Sequence, residues 1–410
     1  MIGALRGPLV VRRPPLWLAA AAVASGWAAL YTIGRWTLLF AVDPVHEDVR
    51  LTYVAAQAGL RYGWPTIYDQ AILRSLSQSF PAGQRHIDSL YTYVNPPLLA
   101  WLFAPLTAFP EPVAYGLWTL FSLGALIAAW RIAAPYTGAA KLTLLLVSIG
   151  LWPVMLAFYF GQPTMLVIAL LAATWWLAAH DRPFAAGVAL ALATFLKPQD
   201  LALVPVVLLV SGRGRPVAGW AAACAVLGAV TALALGPSGL TSWWYALQLG
   251  QSNPAHTMYT LANLLGTGPV TYALWALQGA VALIIAWSRR AELEIVIAVG
   301  VLGSAAVAFH FHELDYSILV VAAWLTLRAA PPLWHRLWLV AGVLPMQLMT
   351  YGTDSVQPIW NLAWHGPQLI WDAGWLAMLL ASCFARIKPH AAAASSRALA
   401  PLPEADPVRT

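Results

Sequence analysis

The segment PTMLVIALLAATWWLAAHDRPFAAGVALALATFLKPQDLALVPVVLLVS, residues 163–211, decides the fold class. It holds three apolar runs, 163–179, 184–196 and 199–211, parted only by short polar junctions at His180-Asp181-Arg182 and Lys197-Pro198-Gln199. Apolar runs of this length with charge confined to their ends read as membrane-crossing helices. The second and third are short, which lets Lys197-Pro198-Gln199 lie somewhat inside the membrane boundary.

The same pattern continues in both directions. Further apolar runs occupy 16–42, 113–131, 142–160, 216–236, 269–288, 294–309, 316–330, 334–351 and 367–385. Over the 410 residues, 60% are hydrophobic and 9% charged, with a mean hydropathy of +0.70. A soluble domain carries about 25% charged residues, so an ordinary cytosolic enzyme, a disordered chain and a nucleic-acid binder with a basic face are all excluded. The two cysteines, Cys224 and Cys383, lie far apart in apolar runs and read as small core residues.

Basic residues mark every second junction: Arg131 and Lys141, Arg182, Arg213 and Arg215, Arg289 and Arg290, Arg328 and Arg336, Arg386 and Lys388. Lys and Arg accumulate in cytoplasmic loops. With Arg6, Arg12 and Arg13 ahead of the first run, the pattern predicts an uncleaved signal anchor and about twelve crossings with both termini cytoplasmic. The expected fold is an all-α polytopic bundle, one membrane domain over 1–388 followed by a disordered cytoplasmic tail, 389–410. External junctions then fall at 42–112, a long first loop, and at 161–163, 197–199, 236–268, 310–315 and 352–366. Residues 95–109 are apolar but contain Pro96, Pro97 and Pro105, and counting them as a crossing would invert every later loop. They read as an external interfacial or re-entrant helix.

Three polar clusters gather at external helix ends. The first is His46-Glu47-Asp48-Val49-Arg50, with Tyr53 beyond it and Tyr93-Val94-Asn95-Pro96-Pro97 at the far end of the loop. The second pairs Gly161-Gln162 with Lys197-Pro198-Gln199-Asp200, and the third is His310-Phe311-His312-Glu313-Leu314-Asp315-Tyr316. Ionisable groups at the hydrocarbon edge are functional candidates. Lys197 is the one lysine of three on the external side, which suits it to an anionic head group or to snorkelling at a helix end. Glu47 or Asp48 could act as a general base. His310 and His312 could contact a phosphate or hydroxyl, cap a helix, or hold a metal with Glu313 and Asp315, although no third His or Cys stands near. The 22 tryptophans read mostly as an interfacial belt, with Trp243, Trp244 and Tyr245 as an alternative stacking surface for a sugar or isoprenoid.

These stretches, in order, resemble glycosyltransferase family 87. Asp48-Val-Arg-Leu-Thr-Tyr53 is similar to the family's opening of the first external loop, and Tyr93-Val-Asn-Pro-Pro97 to its Tyr-x-x-Pro-Pro-Leu segment. Gly161-Gln162 resembles its Gly-Gln turn, Leu196-Lys-Pro-Gln199 its Leu-Lys-Pro-Gln turn, and His310 to Tyr316 its late His-rich loop. The resemblance implies a GT-C fold in a bacterial plasma membrane and an external site that takes a hexose, typically mannose, from a polyprenyl-phosphate donor. The acceptor would be a lipid or glycan, and no cofactor or metal would be required. On that basis Asp48 would be the base, favoured over Glu47 by the motif spacing. Lys197, His310, His312 and Arg50 would face the donor phosphate, and Glu47, Tyr53, Asn95, Gln162 and Gln199 the sugar or acceptor. Here the late loop reads His-Phe-His-Glu where described members carry a His-His-Trp-type run, so sugar and acceptor stay open. A secondary transporter or flippase, or an oligosaccharide ligase or polymerase, remains the alternative; no internal repeat supports the transporter.

Overall fold

The structure, a computed structural model, describes residues 15–42, 47–78, 93–251, 259–349 and 358–385. Every regular element among them is helical. The long first helix, α1 (Leu16–Val42), is followed by α2 (Glu47–Tyr62), α3 (Gln70–Ser77) and α4 (Pro97–Phe103) of the loop region. The central helices are α5 (Glu111–Ala133), α6 (Gly138–Gly150), α7 (Trp152–Tyr159), α8 (Thr164–Ala179), α9 (Pro183–Leu196) and α10 (Val204–Val210). Then come α11 (Gly214–Gln251), α12 (Leu261–Leu265), α13 (Pro269–Ser288), α14 (Leu293–Ala306) and α15 (Leu319–Arg328). The chain finishes with α16 (Leu333–Ala341), α17 (Val343–Leu348) and α18 (Pro358–Ala385). Short 3₁₀ turns occupy Trp64–Tyr68, Ala104–Ala108, Gln199–Leu201 and Glu313–Ile318. The basic N-terminal arm, Asp43, His46 and the tail after Pro389 lie outside the described residues.

This is a helical membrane protein, but its spans are not uniform. Among the described residues, α1, α5, α11 and α13 are each long and apolar enough to cross a bilayer alone. The run 142–160 forms two helices, α6 and α7, bent by 61° where Leu151-Trp152-Pro153 starts the second; together they would make a fifth span. The other expected crossings are shorter or broken. The 14 residues of α9 rise about 21 Å, less than the ~30 Å hydrocarbon core. The run expected at 316–330 opens as a 3₁₀ turn, and that at 334–351 divides at Gly342 into α16 and α17. Past its kink at Gly236-Pro237, α11 stays helical to Gln251, inside the stretch expected to be an external loop.

Packing follows the logic of helices in lipid, where small residues let backbones approach. In α1 the buried residues are Ser25, Ala29 and Thr32, one narrow face laid on α6, while Leu16, Trp17, Trp27 and Leu38 point outward. The Thr32 hydroxyl donates to the Gly150 carbonyl, and Arg35 lies over the Trp152 ring at 4.3 Å. Between α9 and α11, a Cβ on Gly187 would strike the Pro216 carbonyl and one on Gly219 the Phe184 carbonyl. Residues 97–108 form α4 and a 3₁₀ turn, with Leu99, Ala100 and Phe103 buried and Leu102 exposed. That is too short to cross singly and packs on α2.

Both ends of the bundle are polar. At one, Arg328 donates to the carbonyls of Ala133 and Ile132, and Lys141 to that of Arg131. At the other end of α5, Glu111 is joined to Arg50.

Candidate functional site

Asp48 is the second residue of α2, and its position depends on a glycine. Gly161, in the turn between α7 and α8, has φ +63, and a Cβ there would collide with Val49 Cγ2. With no side chain at 161, α2 comes against the turn, and Gln162 Nε2 donates to Asp48 Oδ2 at 2.9 Å. Trp118 Nε1 donates to the Gly161 carbonyl at 2.8 Å and holds the turn to α5.

Lys197 caps α9 and is 3% exposed. Its ammonium donates to Asp315 Oδ1, and Asp200 Oδ2 lies 4.0 Å away. The other Asp315 oxygen accepts from the His312 backbone N–H at 2.8 Å, so one carboxylate ties the lysine to the start of the Glu313–Ile318 turn. That turn packs on α7 and α8, the helices flanking Gln162. His310 and His312 meet edge to face, 4.9 Å between ring centroids, and both are half-buried. Buried Asp200 has neither carboxylate oxygen in a hydrogen bond.

Electrostatic coupling runs between these groups. Burial raises the Asp48 carboxyl to about 6, against the pull of the Gln162 hydrogen bond and the Lys197 charge, while Asp315 adds to the rise. For Lys197 burial works against the charged form, but Asp315, Asp200 and Asp48 more than offset it, so the amine titrates above its ordinary value. Asp315, although buried, is held below the usual carboxylate range by Lys197, His312 and His310. Burial lowers His310; Asp315 opposes this and Lys197 reinforces it. At neutral pH the result is a Lys197–Asp315 ion pair, a neutral His310 and a largely ionised Asp48.

Sequence-expected residues therefore divide. Asp48, Gln162, Lys197, His310 and His312 come together from four separate stretches of chain. Arg50 is fully buried, and its Nε donates to Glu111 Oε1 at 3.0 Å. The Tyr53 hydroxyl donates to the Phe109 carbonyl at 2.9 Å and fastens α2 to the end of the 104–108 turn. Asn95 accepts through its backbone carbonyl from Tyr68, within a stack of Tyr93, Tyr68 and Trp243. Trp243 is thereby part of the scaffold, whereas Trp244 and Tyr245 are exposed. Gln199 is half-buried, with no side-chain bond to the cluster. Glu47 opens α2, but its side chain lies outside the described residues.

Two members were not assigned from sequence. The signal for Asp200 was its spacing of three from Lys197. For Asp315 it was the need of a buried cation for a counter-charge, 118 residues away. Among the described residues, no group of three or more His, Cys, Asp or Glu side chains is arranged to hold a metal.

In comparison with known proteins, a family model described as Glycosyltransferase family 87 matches residues 93–350. No curated protein and no solved structure matches the chain. The aligned stretch contains Gln162, Lys197, Asp200, His310, His312 and Asp315, while Asp48 precedes it.

Proposed function

The chain belongs to glycosyltransferase family 87, and from that premise we propose that it transfers a hexose, mannose in the simplest reading, from a polyprenyl-phosphate donor to a lipid or glycan acceptor. In this reading it is a GT-C-type enzyme of the bacterial plasma membrane, crossing it about twelve times with some short or bent spans. Both termini are cytoplasmic and the site is external. In this reading the donor arrives within the bilayer.

The observation that carries the reading is the Asp48 carboxylate, oriented by Gln162, raised to about 6 and within the electrostatic reach of Lys197. A general base works best with a pKa near the operating pH. Asp48 takes the proton of an acceptor hydroxyl as its oxygen bonds to the anomeric carbon. The bond from that carbon to the phosphate oxygen breaks, and its electron pair leaves with the lipid phosphate. A single displacement inverts the anomeric configuration through an oxocarbenium-like state. The leaving phosphate meets His310 and His312, the more open hydrogen-bonding candidates, with Lys197 behind them. Because Asp315 already neutralises Lys197, the lysine's first task is to position Asp315 and the loop that carries both imidazoles. A phosphate monoester leaves already ionised, so the step does not call for a metal.

The test is incorporation of radiolabelled mannose from polyprenyl-phosphate mannose into lipid acceptors by the purified protein. Asp48→Asn should lower kcat by about 10²–10⁴-fold, the usual contribution of a general base. Full activity in that variant removes the base assignment. Incorporation from a nucleotide sugar with no lipid carrier overturns the donor.

A further inference from the structure

The end of the bundle opposite the candidate site carries positive charge that the chain leaves uncompensated. Arg131 lies in the last turn of α5, Lys141 near the start of α6, and Arg328 closes α15. Hydrogen bonds fix all three positions. Trp130 Nε1 donates to the Lys141 carbonyl at 2.7 Å, and the Lys141 ammonium donates to the Arg131 carbonyl at 2.8 Å. Arg328 Nε donates to the Ala133 carbonyl at 2.7 Å, and its guanidinium lies over the Trp175 ring at 4.4 Å. Three helices thus bring three cations to one place, with Lys141 in electrostatic reach of the other two.

Capping of α5 accounts for only part of this charge. A helix C-terminus carries about half a negative charge, against three positive ones here. Lys141 and Arg328 already serve the last carbonyls of α5, while the Arg131 guanidinium has no hydrogen bond or ion pair among the described residues. No described carboxylate comes within 4.0 Å of any of the three. Glu294 acts on Arg328 from farther off and is shared with Arg213. Arg289 shows the usual alternative, with both Glu292 oxygens and the Ser382 hydroxyl taking up its nitrogens. The bias of Lys and Arg toward one side of a membrane explains the presence of such charges but not their convergence.

The surface beside the cluster fits a lipid. Leu120, Gly124, Ile127 and Arg131 follow one another at spacings of four, three and four, so they share a face of α5, and all four are exposed. A Cβ on Gly124 would meet nothing, so the stripe is open there. From Arg131 to Leu120 the helix rises about 16 Å, one leaflet of the ~30 Å hydrocarbon core. Trp130 and Trp175 flank the cations, as tryptophans do at head-group level. A zwitterionic head group would bring its own ammonium toward three like charges, whereas an anionic one would not.

We propose that Arg131, Lys141 and Arg328 bind the phosphate of an anionic phospholipid in the leaflet at this end of the bundle, with an acyl chain along Leu120, Gly124 and Ile127. The site stands apart from the transferase reading, because none of its residues takes part in the transfer.

The experiment offers phosphatidylglycerol and phosphatidylcholine of equal chain length to the purified full-length protein and counts the lipids retained by native mass spectrometry. Wild type should retain phosphatidylglycerol preferentially, and the preference should shrink with added salt. Arg131→Gln should lose about fivefold in phosphatidylglycerol affinity, the worth of one interfacial cation. Arg290→Gln, which removes an exposed cation from another junction at the same end, should bind as wild type does. In phosphatidylcholine nanodiscs Arg131→Gln should unfold at the wild-type temperature; a lower one would make Arg131 a structural cap and overturn the assignment. Equal retention of the two lipids by wild type, or undiminished binding in Arg131→Gln, overturns the site. Equal losses in Arg131→Gln and Arg290→Gln overturn it in favour of diffuse surface charge. Displacement of phosphatidylglycerol by inorganic phosphate at equal concentration overturns the lipid in favour of a simple anion.

Discussion

A carboxylate that must accept a proton near neutral pH needs burial enough to raise its affinity, but not enough to keep it protonated. Asp48 meets both demands because burial lifts it to about 6 while Gln162 and Lys197 hold it down. With Asp48 as base, activity should fall as pH drops through about 6, since protonation removes the acceptor of the proton. At pH 7 about nine-tenths of the sites would be ionised. Gln162→Leu removes a hydrogen bond that favours the charged form, so the acid limb should move upward by about one unit, the equivalent of ~1.4 kcal/mol. A pH profile of kcat/KM for both proteins checks this, and an unmoved limb would show that Gln162 only positions the turn. The Asp48 motif and the Gly-Gln turn were legible in sequence. Their direct bond was not, because it joins residues 114 apart. Lys197 looked like a lone outer cation for the same reason: local spacing shows Asp200, but only the folded chain brings Asp315 onto it.

At the scale of elements, the turn between α7 and α8 places Asp48. Gly161 serves it twice, by its positive φ and by leaving room for Val49. Gly161→Ala should therefore destabilise by about 2–4 kcal/mol, combining left-handed strain with overpacking. Val49→Ala in the same chain should restore the overpacking share and leave about 1 kcal/mol of backbone strain. Thermal unfolding of the two single variants and the double variant measures this coupling, and strictly additive losses would mean that the close approach of α2 is not what the glycine permits. Element types were easier to read than their breaks. Apolar content shows that 142–160 is membrane-compatible, yet hydropathy is blind to the 61° bend at Leu151-Trp152-Pro153. Likewise Gly236-Pro237 reads as the end of a span, whereas α11 kinks there and continues to Gln251, since proline is tolerated in the first turn of the segment that follows.

For the whole molecule, the central question is which end faces the cytoplasm. Helix α5 runs about 35 Å from Glu111, paired with Arg50 near the candidate site, to Arg131. Helices α8 and α15 leave the same site and end near Arg328, whose guanidinium lies over Trp175 and on the carbonyls closing α5. Arg131, Lys141 and Arg328, which the charge pattern assigned to cytoplasmic junctions, thus meet at one end, while Glu111 and the candidate site lie at the other. Positive charge is retained on the cytoplasmic side, so the end with Arg131, Lys141 and Arg328 should face inward and Asp48 outward. Cysteines placed at the two ends of α9 decide this: Pro198→Cys beside the site, and His180→Cys just before the helix, both at exposed positions. The background needs Cys224→Ala and Cys383→Ala, which remove the only native thiols. A membrane-impermeant maleimide should label Pro198→Cys in intact cells and His180→Cys only after permeabilisation. The opposite pattern would put Asp48 in the cytoplasm, where soluble nucleotide sugars can reach it, and the lipid-linked donor would lose its physical rationale.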